Sequence, residues 1–317
     1  MRAFFNYLSA YWRNSSRPAF FITVFFIASL VTVNYTIGIE HRILAAGPWY
    51  LVYSFFFLFY SLVIALAWGL QYEWGGAPGQ RPGSPRFFQP RFLLLLLLAP
   101  LFFAAKMVHW DLSPLLPSTP PWNRYWLIVL QLPSKLLLLC LLLTVCRKTG
   151  LLGGESLRAS IGLTTKGFDA RPYLWLLLLL IPVVALASTQ SDFLRVYPKV
   201  KNIAFINGYA SPVWPWKAGY ELSYGLDFLS IELFFRGLLV IGIVRYAGEQ
   251  AILPMAAFYC TIHFGKPLGE CITSFFGGLA LGVLAYRTRS IFGGLIVHLG
   301  LAWMMELGGW LGNLFRF

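Results

Sequence analysis

The sequence predicts an all-α fold, a polytopic membrane helical bundle of eight or nine transmembrane helices. Three observations carry this. Of the 317 residues, 58% are apolar and only 12% are charged, where an ordinary soluble domain is about a quarter charged. The mean hydropathy is +0.67. Nine stretches are apolar over lengths near the roughly 20 residues that a spanning helix needs. A water-soluble globule of this size needs more polar surface than that. Disorder, collagen and coiled coil are excluded by the long apolar runs and an aromatic content of 18%. The net charge of +13 does not require nucleic acid, because basic residues of membrane proteins gather in the loops that stay inside.

The first span, 18–38, follows Arg2, Arg13 and Arg17 and is not followed by a small-residue cleavage site. It reads as a retained anchor. Spans 48–70, 92–108, 125–146 and 172–188 follow, then 222–244, 250–265, 271–286 and 290–312. Residues 71–91 and 109–124 are rich in turn formers and read as irregular connectors. The basic stretch 147–171 reads as an inner loop with a helix on the membrane surface. With nine spans and the N-terminus inside, 14 of the 25 Lys and Arg fall on the inner side and nine on the outer; Lys135 and Arg236 lie within spans. The four cysteines, Cys140, Cys146, Cys260 and Cys271, form no CxxC pair and read as small buried hydrophobes.

Ionisable groups inside a bilayer cost a few kcal/mol each on insertion scales, so their positions are informative. Apart from Lys135, the first five spans hold almost none. Residues 221–306 hold Glu221, Asp227, Glu232, Glu270, Glu306, His263 and His298. Residues 1–171 therefore read as accessory helices with a basic inner loop, and 172–317 as the core that carries any chemistry. Glu232 and Arg236 are four apart in SIELFFRGLL and share a helix face. They read either as a neutralised pair that lets the helix insert or as a carboxylate held for function. His263 ends an apolar run before Gly265 and Pro267, which suits an interfacial histidine as well as a catalytic one. His298 lies well inside its span. At 1.5 Å per residue, Glu232 and His263 lie roughly 20 Å from their inner span ends and His298 roughly 12 Å. All three then fall near the middle of a core about 30 Å thick. A carboxylate and two imidazoles at one depth are the groups needed to activate water against a carbonyl.

IELFFRG, then a histidine ending an apolar helix about 30 residues on, then HLGLAWM on the last span, resembles the CaaX protease and bacteriocin-processing (CPBP) family. These are glutamate-type intramembrane endopeptidases. The resemblance covers about residues 220–306. The family's EExxxR motif is matched by Glu232 and Arg236, with Ile231 in place of the first Glu. FxxxH is matched by His263, with Tyr259 in the aromatic place. The third motif is matched by His298, with Ala302 where a polar residue is usual. The resemblance implies that Glu232 is the general base or orients it with Arg236. His263 shares the proton, and His298 donates to the developing oxyanion. It implies no cofactor, an integral protein of a bacterial inner membrane, and a transmembrane or lipid-anchored protein as substrate, without nucleic acid. Asp227, Glu270 and Glu306 are candidates to replace the missing carboxylate.

Other readings remain. In a zinc protease, Glu232, His263 and His298 would be the ligands. Ile231 and Ala302 suit a catalytically inactive relative acting as a membrane scaffold or immunity protein. A small transporter would use the buried charges as an ion path, but no broken-helix repeat supports it.

Overall fold

The computed structural model describes residues 2–75, 89–116, 119–154, 156–166 and 168–315. All regular structure among them is helical. In chain order the α-helices are α1 (Arg2–Asn14), α2 (Arg17–Ile37), α3 (Ile39–Leu44), α4 (Trp49–Trp74) and α5 (Pro90–Met107). Then come α6 (Trp122–Lys148), α7 (Leu157–Ser160), α8 (Arg171–Ala187), α9 (Ser191–Val196) and α10 (Trp214–Glu232). The last four are α11 (Val244–Ala247), α12 (Ile252–Thr261), α13 (Leu268–Thr288) and α14 (Phe292–Leu314). A 3₁₀ segment spans Lys199–Gly208 and a π-helical segment Leu233–Gly242.

Six of these helices are long and apolar enough to cross a membrane: α2, α4, α5, α6, α13 and α14. Helix α8 is apolar but shorter, with 17 residues. The expected eight or nine spans are thus not all matched by helices of spanning length among the described residues. The stretch 222–244 divides between α10 and the π segment. The stretch 250–265 contains an α-helix of only 10 residues, flanked by tighter turns. Ten residues rise about 15 Å, half the hydrocarbon core. The straight α-helical rise used to place His263 therefore does not hold over the whole of 250–263.

Termini follow from local chemistry. Ser16 accepts a hydrogen bond from the Ala19 amide and Pro18 stands in the first turn of α2, whose end is closed by left-handed Gly38. Large apolar side chains lie bare on the helices, Phe25 at 75% exposure, Leu137 at 70% and Leu186 at 69%. Lipid satisfies such surfaces and water does not. Lys135, by contrast, is buried on α6. Cys146, Cys260 and Cys271 are buried as expected, whereas Cys140 is exposed on α6, where an apolar thiol costs nothing against lipid. Of the 71–91 connector, residues 71–74 extend α4; 76–88, with Arg81 and Arg86, lie outside the described residues, as do Glu155 and Arg316.

The chain forms two compact units. One comprises Met1–Val108, Leu143–Phe168 and Leu233–Phe292, the other His109–Leu142, Asp169–Glu232 and Gly293–Phe317. The first is centred on an aromatic cluster. Phe103 of α5 meets Phe234, Phe235, Phe258 and Tyr60 at centroid distances of 5.2 to 5.6 Å. The two phenylalanines of the IELFFRG motif are thus packing residues. Elsewhere in this unit, Arg245 donates to the Gly150 and Leu151 carbonyls at 2.6 and 2.7 Å, and Arg287 pairs with Glu249 at 3.0 Å.

In the second unit α14 packs closely on α8 and α9. A Cβ added at Gly300 would stand 2.5 Å from Leu177, and one at Gly312 2.4 Å from the Ser188 carbonyl. Small residues let helices approach in lipid, where dispersion replaces the hydrophobic drive. Helix α10 is tied to α6 by Ser223, which donates to the Val129 carbonyl at 2.5 Å, and by Tyr125, which donates to the Trp216 carbonyl at 2.9 Å.

Candidate active site

Glu232 is the last residue of α10, and His298 lies in the second turn of α14. In the second unit the two meet: Nδ1 of His298 is 2.5 Å from Oε1 of Glu232. The Glu232 side chain has no exposed surface, and that of His298 is 11% exposed. An ionised carboxylate only accepts, so the imidazole donates from Nδ1. In the neutral ring Nε2 then keeps the basic lone pair. Phe228, one turn before Glu232, lies beside the imidazole at a centroid distance of 6.0 Å. The ring is thus held by a hydrogen bond at one nitrogen and by packing against an aromatic ring.

The room for this carboxylate comes from Gly294, one turn before His298. A Cβ there would stand 2.1 Å from Oε2 of Glu232. Glycine at 294 is a packing requirement of the pair, a signal the sequence shows only as one more glycine in GGLIVHLG. Gly294→Ala is expected to displace the carboxylate and lower turnover about 100-fold, the effect of a misplacement near 1 Å. Gly277, where a Cβ meets nothing within 4 Å, is the control, and Gly277→Ala is expected to behave as the parent. Comparing cleavage by the two purified variants checks this; equal activities would refute the packing account.

His263 and Arg236 belong to the first unit. His263 follows α12, and its Nδ1 lies 2.9 Å from the Tyr259 carbonyl one turn earlier. A carbonyl cannot donate, so the neutral ring carries its proton on Nδ1 and its lone pair on Nε2. The Tyr259 ring stands edge-on to the imidazole, with centroids 4.7 Å apart. The Arg236 guanidinium lies 4.5 Å from the centroid of that ring. Arg236 is completely buried. The guanidinium over the phenol ring and the imidazole at its edge thus meet at Tyr259, the aromatic of the FxxxH pattern, which joins the two polar groups.

The three further carboxylates have separate surroundings. Asp227 accepts from the Ser230 hydroxyl at 3.2 Å. Glu270 pairs with Lys266 at 3.1 Å within one helical turn. Glu306 is 8% exposed and accepts from the backbone amides of Lys199 and Val200 at 2.6 and 3.1 Å. It caps the 3₁₀ segment Lys199–Gly208, whose Ile203 and Ile206 pack against Tyr125 and Tyr220. Hydrogen bonds to a charged group contribute about 1.5–3 kcal/mol each. With two such bonds, Glu306→Ala is expected to destabilise the protein by roughly 3–6 kcal/mol, and Glu306→Gln by less. Thermal unfolding in detergent checks the order; an unchanged Glu306→Ala melting temperature would refute the cap.

Glu40, in α3, abuts the turn after His263. A Cβ at Gly265 would stand 2.7 Å from Oε2 of Glu40. Burial raises the Glu40 pKa above its ordinary value, and neighbouring His41 lowers it less. Among the described residues, no group of three or more His, Cys, Asp or Glu is arranged to hold a metal ion.

The family model for type II CAAX prenyl endopeptidases, Rce1-like, matches residues 224–304. The match begins on α10 and ends on α14, so it includes Glu232, Arg236, His263 and His298. It falls on the stretch that carries the motif resemblance, and the matched family is a protease family. No curated protein and no solved structure matches the chain.

Proposed function

We propose that the chain is an intramembrane endopeptidase that hydrolyses a transmembrane or lipid-anchored protein with water activated at the Glu232–His298 pair. The observation that carries this reading is the 2.5 Å contact between the Glu232 carboxylate and His298 Nδ1. In the reaction, Nε2 of His298 takes a proton from water as the oxygen attacks the peptide carbonyl. The Glu232 carboxylate holds the ring in the required tautomer and stabilises the imidazolium that forms. The protonated ring then gives the proton to the leaving amine. This exchanges the roles implied by the motif resemblance, in which Glu232 is the base and His298 the oxyanion donor. His263, in the first unit, is oriented by Tyr259 and through it by Arg236, and no step is assigned to it.

In this reading 172–317 hold the reacting groups and 1–171 are accessory helices. The basic loops favour an inside N-terminus, in a bacterial inner membrane. No step is assigned to a metal. The test is cleavage of a membrane-anchored reporter by the purified protein in vesicles. Cleavage by the parent that survives a chelator and is lost in His298→Gln supports the reading. Absence of cleavage by a folded parent would favour a catalytically inactive scaffold. Chelator-sensitive cleavage restored by zinc would favour a zinc protease.

A further inference from the structure

Cys260 lies at the end of α12 and Cys271 in the first turn of α13. Between them runs the turn 262–267, which carries His263. Each sulfur lies against the backbone of the other residue. Sγ of Cys260 is 3.3 Å from the Cys271 carbonyl oxygen, and Sγ of Cys271 is 3.9 Å from the Cys260 carbonyl oxygen. Both residues are fully enclosed, at 0% exposure. Each side chain thus reaches across the helix pair to the backbone of the other residue, which brings the two cysteines together.

Two further features bear on the pair. A cleft of about 460 Å³ is lined by Val31, Tyr35, Cys260, Ile272, Phe275 and other residues, nearly all apolar. Cys260 is enclosed at rest, so a small lipid-soluble molecule in this cleft reaches its sulfur only on local opening of the helix pair. The turn itself is tied at several points. Tyr35 donates to the Lys266 carbonyl at 2.5 Å, Lys266 pairs with Glu270, and Gly265 has a left-handed φ of +80° against Glu40. Its conformation is set by cross-links on every side, and a covalent one would act on the same backbone.

We propose that Cys260 and Cys271 form a reversible disulfide, a redox modification site that locks the His263 turn. The two thiols lose two protons and two electrons as the S–S bond forms. A lipid-soluble quinone takes up both and leaves as the hydroquinone. A small dithiol reverses the step by exchange and ends as its own disulfide. The bond joins the end of α12 to the first turn of α13, so it restricts the backbone that orients the imidazole. This modification does not depend on the hydrolase reading.

The test uses the full-length protein in detergent, with a tetrasubstituted quinone that has no free ring position for thiol addition. Thiols are counted after unfolding, and the joined peptides are identified by mass. The expected result is a fall from four free thiols to two, a link between Cys260 and Cys271, and full recovery with dithiothreitol. Cys260→Ser and Cys271→Ser each keep three thiols under the same treatment. Hydrogen exchange in 262–267 is expected to slow about tenfold or more in the oxidised form, as local opening is suppressed. Survival of all four thiols, or a link through Cys140 or Cys146, would overturn the proposal. Unchanged exchange in the linked protein would overturn the locking of the turn. Loss or retention of reporter cleavage bears on the hydrolase reading alone and leaves the thiol count unaffected.

Discussion

Glu232→Gln is expected to lower cleavage of a membrane-anchored reporter by about three to four orders of magnitude, the loss that follows removal of an orienting carboxylate from a histidine base. Gln fills the same volume, so the packing against Gly294 is kept. Its amide oxygen still accepts from Nδ1, but it carries no charge to stabilise the imidazolium. Its amide nitrogen can also select the wrong tautomer. The Glu232 side chain has no exposed surface, so water cannot replace the lost carboxylate. The measurement is single-turnover cleavage beside a thermal melt. A variant that melts near the parent and cleaves as fast would exclude Glu232 from the reaction. Asp227→Asn would then be the next variant to assay.

Arg236→Ala is expected to destabilise the protein by about 3–5 kcal/mol, the range for breaking an interaction of a buried charged group. Folded yield falls with activity. Arg236 is completely buried, with its guanidinium over the Tyr259 ring. Truncation leaves a cavity beside the residue that orients His263. Arg236→Lys keeps the charge and loses the planar face that stacks on the phenol, so it is expected to fall between the parent and Ala. Unfolding temperature in detergent gives the order. If Arg236→Ala melts like the parent, the stack contributes no stability and the orienting role assigned to Arg236 fails.

The two substitutions act through different links of the same argument. In the proposed reaction Glu232 acts at the reacting atoms, so its loss is expected to move rate at constant stability. Arg236 acts through Tyr259, so its loss moves stability first. Measuring both quantities on both variants separates these effects. The Cys260–Cys271 proposal stands apart from both, because it is read from thiol chemistry on the turn beside His263.

The amino-acid sequence alone determined the helical class, the membrane setting and the residues that carry polar chemistry. The reason is additive: hydropathy sums over a stretch of chain, and a charge inside an apolar run is visible without knowing its neighbours. Glu232, Arg236, His263 and His298 were singled out as candidates in this way, on a stretch that the family match at 224–304 covers. Six helices of spanning length stand against the expected eight or nine spans, because hydropathy does not reveal that 250–265 holds only a 10-residue helix or that the helix type changes after Glu232. Tertiary structure alone decided the partners. His298 reaches Glu232 across 66 positions, and Glu306 caps amides more than 100 positions earlier. A Gly294 that admits a carboxylate looks, in sequence, like any helical glycine. Such contacts depend on which helix faces approach and how closely, and those are set by packing between segments rather than by composition within one.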